Sequence, residues 1–191
     1  MTGLLVATLT TPALTTPASA LQAMVTQIDK NADGTSTYHF AVRLDQGETL
    51  APAEGKTAAG NTGGDFVTVY NFYGLVDGSA KSPAGWEFSS EDFGRTPMLD
   101  GYPMVLPVDV PNTPNLTWAV TKAVAAGTTV EGFTATTKMG AIVQGEYSAQ
   151  VTRQAPGVKG VAAGLPAASA MSNKAAMIGL LPTPSFLAEV K

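Results

Sequence analysis

The chain has 191 residues, 45% of them hydrophobic and only 14% charged, with a formal net charge of −4. That length allows one large domain, or one domain with tails, and supplies enough apolar residues to fill a core. The absence of cysteine excludes disulfides, zinc–thiolate sites and iron–sulfur clusters, the single histidine excludes a multi-histidine metal centre, and the scattered Lys and Arg give nucleic acid no phosphate-binding cluster.

The charged fraction lies well below the roughly 25% of an average soluble domain. Thr, Ala, Gly and Pro fill the gap, a composition common in secreted β-proteins. Residues 1–20 read in two ways. Gly3 to Leu14 is apolar and threonine-rich, and Ala18-Ser19-Ala20 is the small-x-small pattern that a signal peptidase prefers. No Lys or Arg stands near Met1, so the segment also reads as a strand, with Leu4, Leu5, Val6 and Leu9 distributed over its two faces.

From Leu21 the hydrophobic period is two. Leu21 to Ile28 and Thr35 to Leu44 flank Asp29-Lys30-Asn31-Ala32-Asp33-Gly34, a hairpin pattern. Asp45 to Gly64 is a glycine-rich loop. Asp65 to Phe72 is the most apolar run and is expected as a central strand buried on both faces. Trp86 to Ser89 follows a Pro-Ala-Gly turn. Residues 90–114 carry five prolines, which exclude a central strand. Alternation resumes over Asn115 to Thr121, Thr128 to Thr137 and Ala141 to Arg153.

Seven or so strands predict an all-β fold, a two-sheet antiparallel β-sandwich of immunoglobulin-like or jelly-roll-like form over residues 21–153. Residues 154–191, rich in Ala, Gly and Pro, are expected as a low-complexity tail with a short helix over Asn173 to Leu180. The apolar run Ala175 to Leu181 is too short for a bilayer, which needs about 20 residues, so no transmembrane span is expected.

The middle of the chain carries Thr37-Tyr38-His39-Phe40-Ala41-Val42, Gly64-Asp65-Phe66-Val67-Thr68-Val69-Tyr70-Asn71-Phe72, Ser82-Pro83-Ala84-Gly85-Trp86, Pro114-Asn115-Leu116-Thr117-Trp118 and Gly132-Phe133-Thr134-Ala135. In this order they resemble exported bacterial proteins that bear a PEP-CTERM sorting tail. The resemblance spans about residues 35–153. It implies a β-sandwich delivered to the cell surface or an exopolysaccharide matrix, and it implies no catalytic residues. Leu181-Pro182-Thr183-Pro184-Ser185 is similar to the Val-Pro-Glu-Pro-Ser that opens the sorting tail, with Thr183 where Glu is expected. The hydrophobic span and arginine cluster that follow in the family have no counterpart here.

Three groups of residues are candidate sites. Asp29, Asn31 and Asp33 stand at positions 1, 3 and 5 of a calcium-loop pattern with Gly34 at 6, but position 12 is Phe40 instead of a bidentate acid. The plain alternative is a polar hairpin turn. Trp86 with Glu87, Glu91 and Asp92 could present an indole and polar groups to a carbohydrate; the plain alternative turns Trp86 inward over a solvated loop. His39, on the polar face beside Arg43, has no partner for metal or nucleophilic chemistry, and no Gly-x-Ser-x-Gly elbow exists.

The expected function is therefore non-enzymatic and without a resident cofactor: an exported structural or matrix-associated surface protein, or a subunit of an extracellular filament. Its expected partners are its own copies, joined head to tail by strand addition, or exopolysaccharide. The alternative is an extracellular module that binds carbohydrate or calcium.

Overall fold

A computed structural model describes residues 21–53, 64–99, 102–103, 107–153 and 174–186. The chain is an all-β, two-sheet antiparallel sandwich. One sheet orders β1 (Gln22–Lys30), β2 (Ser36–Arg43) and β9 (Thr129–Thr137) as β1-β2-β9. The other orders β11 (Lys174–Ser185), β10 (Ala141–Arg153), β4 (Phe66–Val69), β8 (Asn115–Val120) and β5 (Trp86–Glu91) as β11-β10-β4-β8-β5, with β3 (Glu48–Thr49) added to the end of β10. A two-rung ladder joins β6 (Met98–Leu99) to β7 (Tyr102–Pro103). Among the described residues no helix is long and apolar enough to cross a membrane.

The β1–β2 hairpin closes as its sequence demands. Asn31 N–H donates to Thr35 O at 2.9 Å, Gly34 takes φ 86°, and Asp33 Oδ1 accepts from both the N–H and the hydroxyl of Thr35. Along β2, Tyr38, Phe40 and Val42 turn inward. Phe40 pairs with Phe133 and Ala41 with Glu131, so Gly132 is an extra residue at φ 95°, a bulge in β9.

Both faces of β4 are buried, as its composition predicts, and it is the middle strand of its sheet. Its inner face, with Leu116, Trp118 and Val120 of β8 and Tyr147, Ala149 and Val151 of β10, meets the inward residues of β2 and β9. Trp118 spans the two layers. Its ring centroid lies 5.5 Å from those of Phe40 and Phe133, and its Nε1–H donates to Lys81 O at 3.1 Å. Each large side chain so buried contributes about 1.5–3 kcal/mol before entropy is subtracted.

Over Phe66, Tyr70 and Ser148 the outer face of the same sheet is covered by described residues of the proline-rich segment. Arg95 O accepts the hydroxyls of Tyr70 at 2.9 Å and Ser148 at 3.0 Å, and the Arg95 guanidinium stands 5.2 Å over the Phe66 ring. Gly94 passes so close to Tyr70 that a Cβ there would collide with its ring. The segment is pinned by Asn71, which holds Val108 O and Val110 N, by Glu146, which accepts Val108 N, and by Asp109, which accepts Gly94 N. The prolines thus form a strap over a sheet instead of a strand within it.

The sandwich extends past Arg153. Lys174–Ser185, expected within the tail and in part as a helix, is a strand paired with β10 from Thr152↔Lys174 to Ala141↔Ser185 without a register shift. An isolated helix of that length is marginal in water, while an apolar strand beside an existing sheet gains a ladder and buries Leu181 at 3% exposure.

Candidate functional site

The open ends of the two sheets define the site. On the far side of the molecule the outer edge of β9 is covered: Val76 N–H donates to Thr136 O, Lys81 and Thr134 exchange main-chain bonds, and Lys138 N–H donates to Gly74 O. On the near side β1 and β11, the last strands of their sheets, pack side by side with no ladder between them among the described residues.

Which main-chain groups β11 leaves free follows from its neighbour. Tyr70 N–H donates to Glu146 O, so the even-numbered residues of β10 turn their N–H and C=O toward β4 and the odd-numbered ones toward β11. Gly145 stands opposite Leu181 and Tyr147 opposite Gly179. The odd-numbered residues of β11 therefore bond to β10. Ala176, Ile178, Leu180, Pro182 and Pro184 aim their main chain at the free side. Two of these five are prolines, which have no N–H to offer there. Among the described residues nothing pairs with this edge from Ala176 to Leu180.

The side chains behind that edge are apolar. Ile178, Leu180 and Ile142 are exposed at 39%, 57% and 48%. A shallow hollow of about 340 Å³ lies against them, lined by Ile142, Val143, Gln144, Leu180, Leu181 and Pro182. Phe186 is also exposed, its ring edge-on to Tyr73 at 4.7 Å.

At the other end of β11 a charged group is enclosed. Asp65 is fully buried, and its Oδ1 lies 2.7 Å from Lys174 Nζ, itself 12% exposed. Its Oδ2 accepts Ala51 N–H and the Thr152 hydroxyl, each at 2.8 Å. Lys174 Nζ also donates to Thr152 Oγ1 at 2.8 Å. The Asp65 main chain is bonded to Ala51 O and Val120 N, which fixes the carboxylate in place.

The residues marked from the sequence fall elsewhere. Asp29 Oδ2 pairs with His39 Nε2 at 2.9 Å across the hairpin, and hydrogen bonds from Gln27 and then His39 hold its carboxyl below the usual range. The Asn31 amide donates to Thr35 and Thr37, and Asp33 is drawn to Thr35, whose hydroxyl and then N–H lower its pKa. The three side chains serve the turn, and no group of three or more His, Cys, Asp or Glu residues placed to hold a metal occurs among the described residues.

Trp86 is a core residue, 7% exposed and edge-on to Phe133 at 4.9 Å, because its position on β5 alternates inward opposite Val120. Its indole offers no stacking face to a sugar. Glu87, Glu91 and Asp92 are exposed, and the last two lend main-chain carbonyls to Asn115. Leu4, Leu5, Val6 and Leu9 lie outside the described residues.

Neither the open edge nor the Asp65–Thr152–Lys174 cluster was marked from the sequence. Two prolines spaced by two, Pro182 and Pro184, were the available sign of an edge strand. No protein-family description matches the chain, and no curated protein or solved structure matches it either.

Proposed function

We propose that the protein is exported and serves as structural material of the cell surface or extracellular matrix, joining copies of itself by strand addition at β11. The observation that carries this reading is the edge from Ala176 to Leu180, whose outward main-chain donors and acceptors have no partner among the described residues and are backed by Ile142, Ile178 and Leu180. Edge strands are ordinarily blunted, and an apolar one left open is suited to accept another strand. The cysteine-free, charge-poor composition and the likeness to exported PEP-CTERM-type proteins support the extracellular setting.

The segment that would be added is residues 1–20. It bears no charge, and burying Leu4, Leu5, Val6 and Leu9 in a neighbour is worth about 1.5–3 kcal/mol for each large side chain. A strand passed from each copy to the next is a head-to-tail contact, which builds a filament when its rotation does not close. The carbohydrate and calcium reading has lost its aromatic platform with Trp86 in the core.

Cell fractionation with electron microscopy and light scattering tests the proposal. The expected result is extracellular protein in species larger than one chain, reduced to monomers when residues 1–20 are removed. Recovery of the intact chain in the cytoplasm, or a strict monomer at every concentration, overturns it. A mature chain beginning at Leu21 keeps export and overturns the strand donor.

A further inference from the structure

We infer that Asp65 and Lys174 form a covalent amide, a staple between the edge strand β11 and the start of β4. The two residues are 109 positions apart in sequence, yet Nζ lies 2.7 Å from Oδ1 in a site where the carboxylate is fully buried. A buried ion pair alone is weak as a stabilising device, because desolvation offsets the attraction. This pair has more than attraction: its two carboxylate oxygens are held differently. Oδ1 faces the amine, while Oδ2 takes the Ala51 N–H and the Thr152 hydroxyl, both at 2.8 Å.

That asymmetry matches what amide formation requires. The ammonium passes one proton to Oδ1, leaving a neutral amine beside a carboxylic acid. The amine lone pair attacks Cγ, and the C=O electron pair moves onto Oδ2, where two fixed donors hold the developing charge. The attacking nitrogen gives a second proton directly to Oδ1, which stands 2.7 Å from it. Oδ1 then leaves as water while the Cγ–Oδ2 double bond re-forms. One C–N bond is made, one C–O bond is broken and one water is lost, with no oxidant or added reactant.

Two further features favour the step. Holding the amine against the acid replaces a bimolecular encounter by an intramolecular one. Burial keeps out the water that would reverse it. In a chain with no cysteine the amide does what a disulfide does elsewhere: it fastens the outermost strand to the body of its sheet across β10.

Intact-mass measurement and peptide mapping of the folded full chain decide the matter. The expected mass is one water below the sequence mass, with the peptides of Asp65 and Lys174 recovered joined. Lys174→Arg should restore the full mass. Asp65→Asn should still join, with loss of ammonia instead of water, which serves where the Arg variant fails to fold. Thr152→Val, which removes one of the two donors on Oδ2, should slow the appearance of the joined species about a hundredfold. A folded wild-type chain that keeps its full mass after prolonged incubation, with the two peptides separate, overturns the inference and leaves an ion pair only.

Discussion

The ring of Tyr147 occupies the space above Gly179, its partner across the β10–β11 ladder, and its hydroxyl donates to Leu21 O at 3.3 Å. A Cβ at 179 would collide with that ring, so the smallest residue on the edge strand is what lets an aromatic side chain of β10 reach across β11 to the start of β1. Gly179→Ala is expected to cost about 1–3 kcal/mol by forcing the ring aside. Gly140→Ala, where an added Cβ meets nothing, should stay within about 0.5 kcal/mol of wild type. Denaturant melts of the two variants check the contrast.

Trp118→Ala removes the side chain on which both layers converge. It is 2% exposed and touches Phe40, Phe88 and Phe133. A loss of about 3–5 kcal/mol is expected, the range for emptying a large aromatic site, and equilibrium unfolding measures it.

Alkaline stability depends on buried phenols. Burial pushes Tyr38 up to about 12 from an ordinary 10.0, and it raises Tyr70 and Tyr147 as well. In the unfolded chain these groups ionise near 10, so above that pH unfolding releases protons that the fold retains. Their stabilising contribution is complete below pH 10 and is lost as pH rises toward 12. Tyrosinate absorbance followed against pH, with unfolding monitored in parallel, should show a late cooperative step that Tyr38→Phe makes shallower.

Association through the edge has a selective test. Leu180 is 57% exposed, so Leu180→Lys should leave the melting transition within about 0.5 kcal/mol while placing a charge beside the open main chain. Sedimentation of the variant should give a monomer where the wild type associates. Equal association in both proteins would place the contact elsewhere.

The hairpin at Asn31–Gly34, the buried β4 and the inward Trp118 were legible because each is a local pattern: turn chemistry, an unbroken apolar run, or alternation. β11 was not. Ala, Met, Gly and Leu on both of its faces give no period of two, and Ala, Met and Leu favour a helix when nothing else decides; β10 decides by offering a bare ladder. The strap was readable only as an exclusion, since proline density says where a strand cannot be and nothing about which face the chain will cross. The meeting of Asp65 with Lys174 was invisible for a different reason. A charge pair separated by 109 positions exists only once the sheet order is known. Trp86 with its acids misled because spacing along a short strand does not say which side faces the core.

Pro182 and Pro184 mark where main-chain pairing on β11 must stop, while Ala176 to Leu180 is where it can begin. A strand added there would find main-chain partners over Ala176 to Leu180 only. Any joint built this way would be short, and its strength would have to come from the side chains beside it as much as from the ladder.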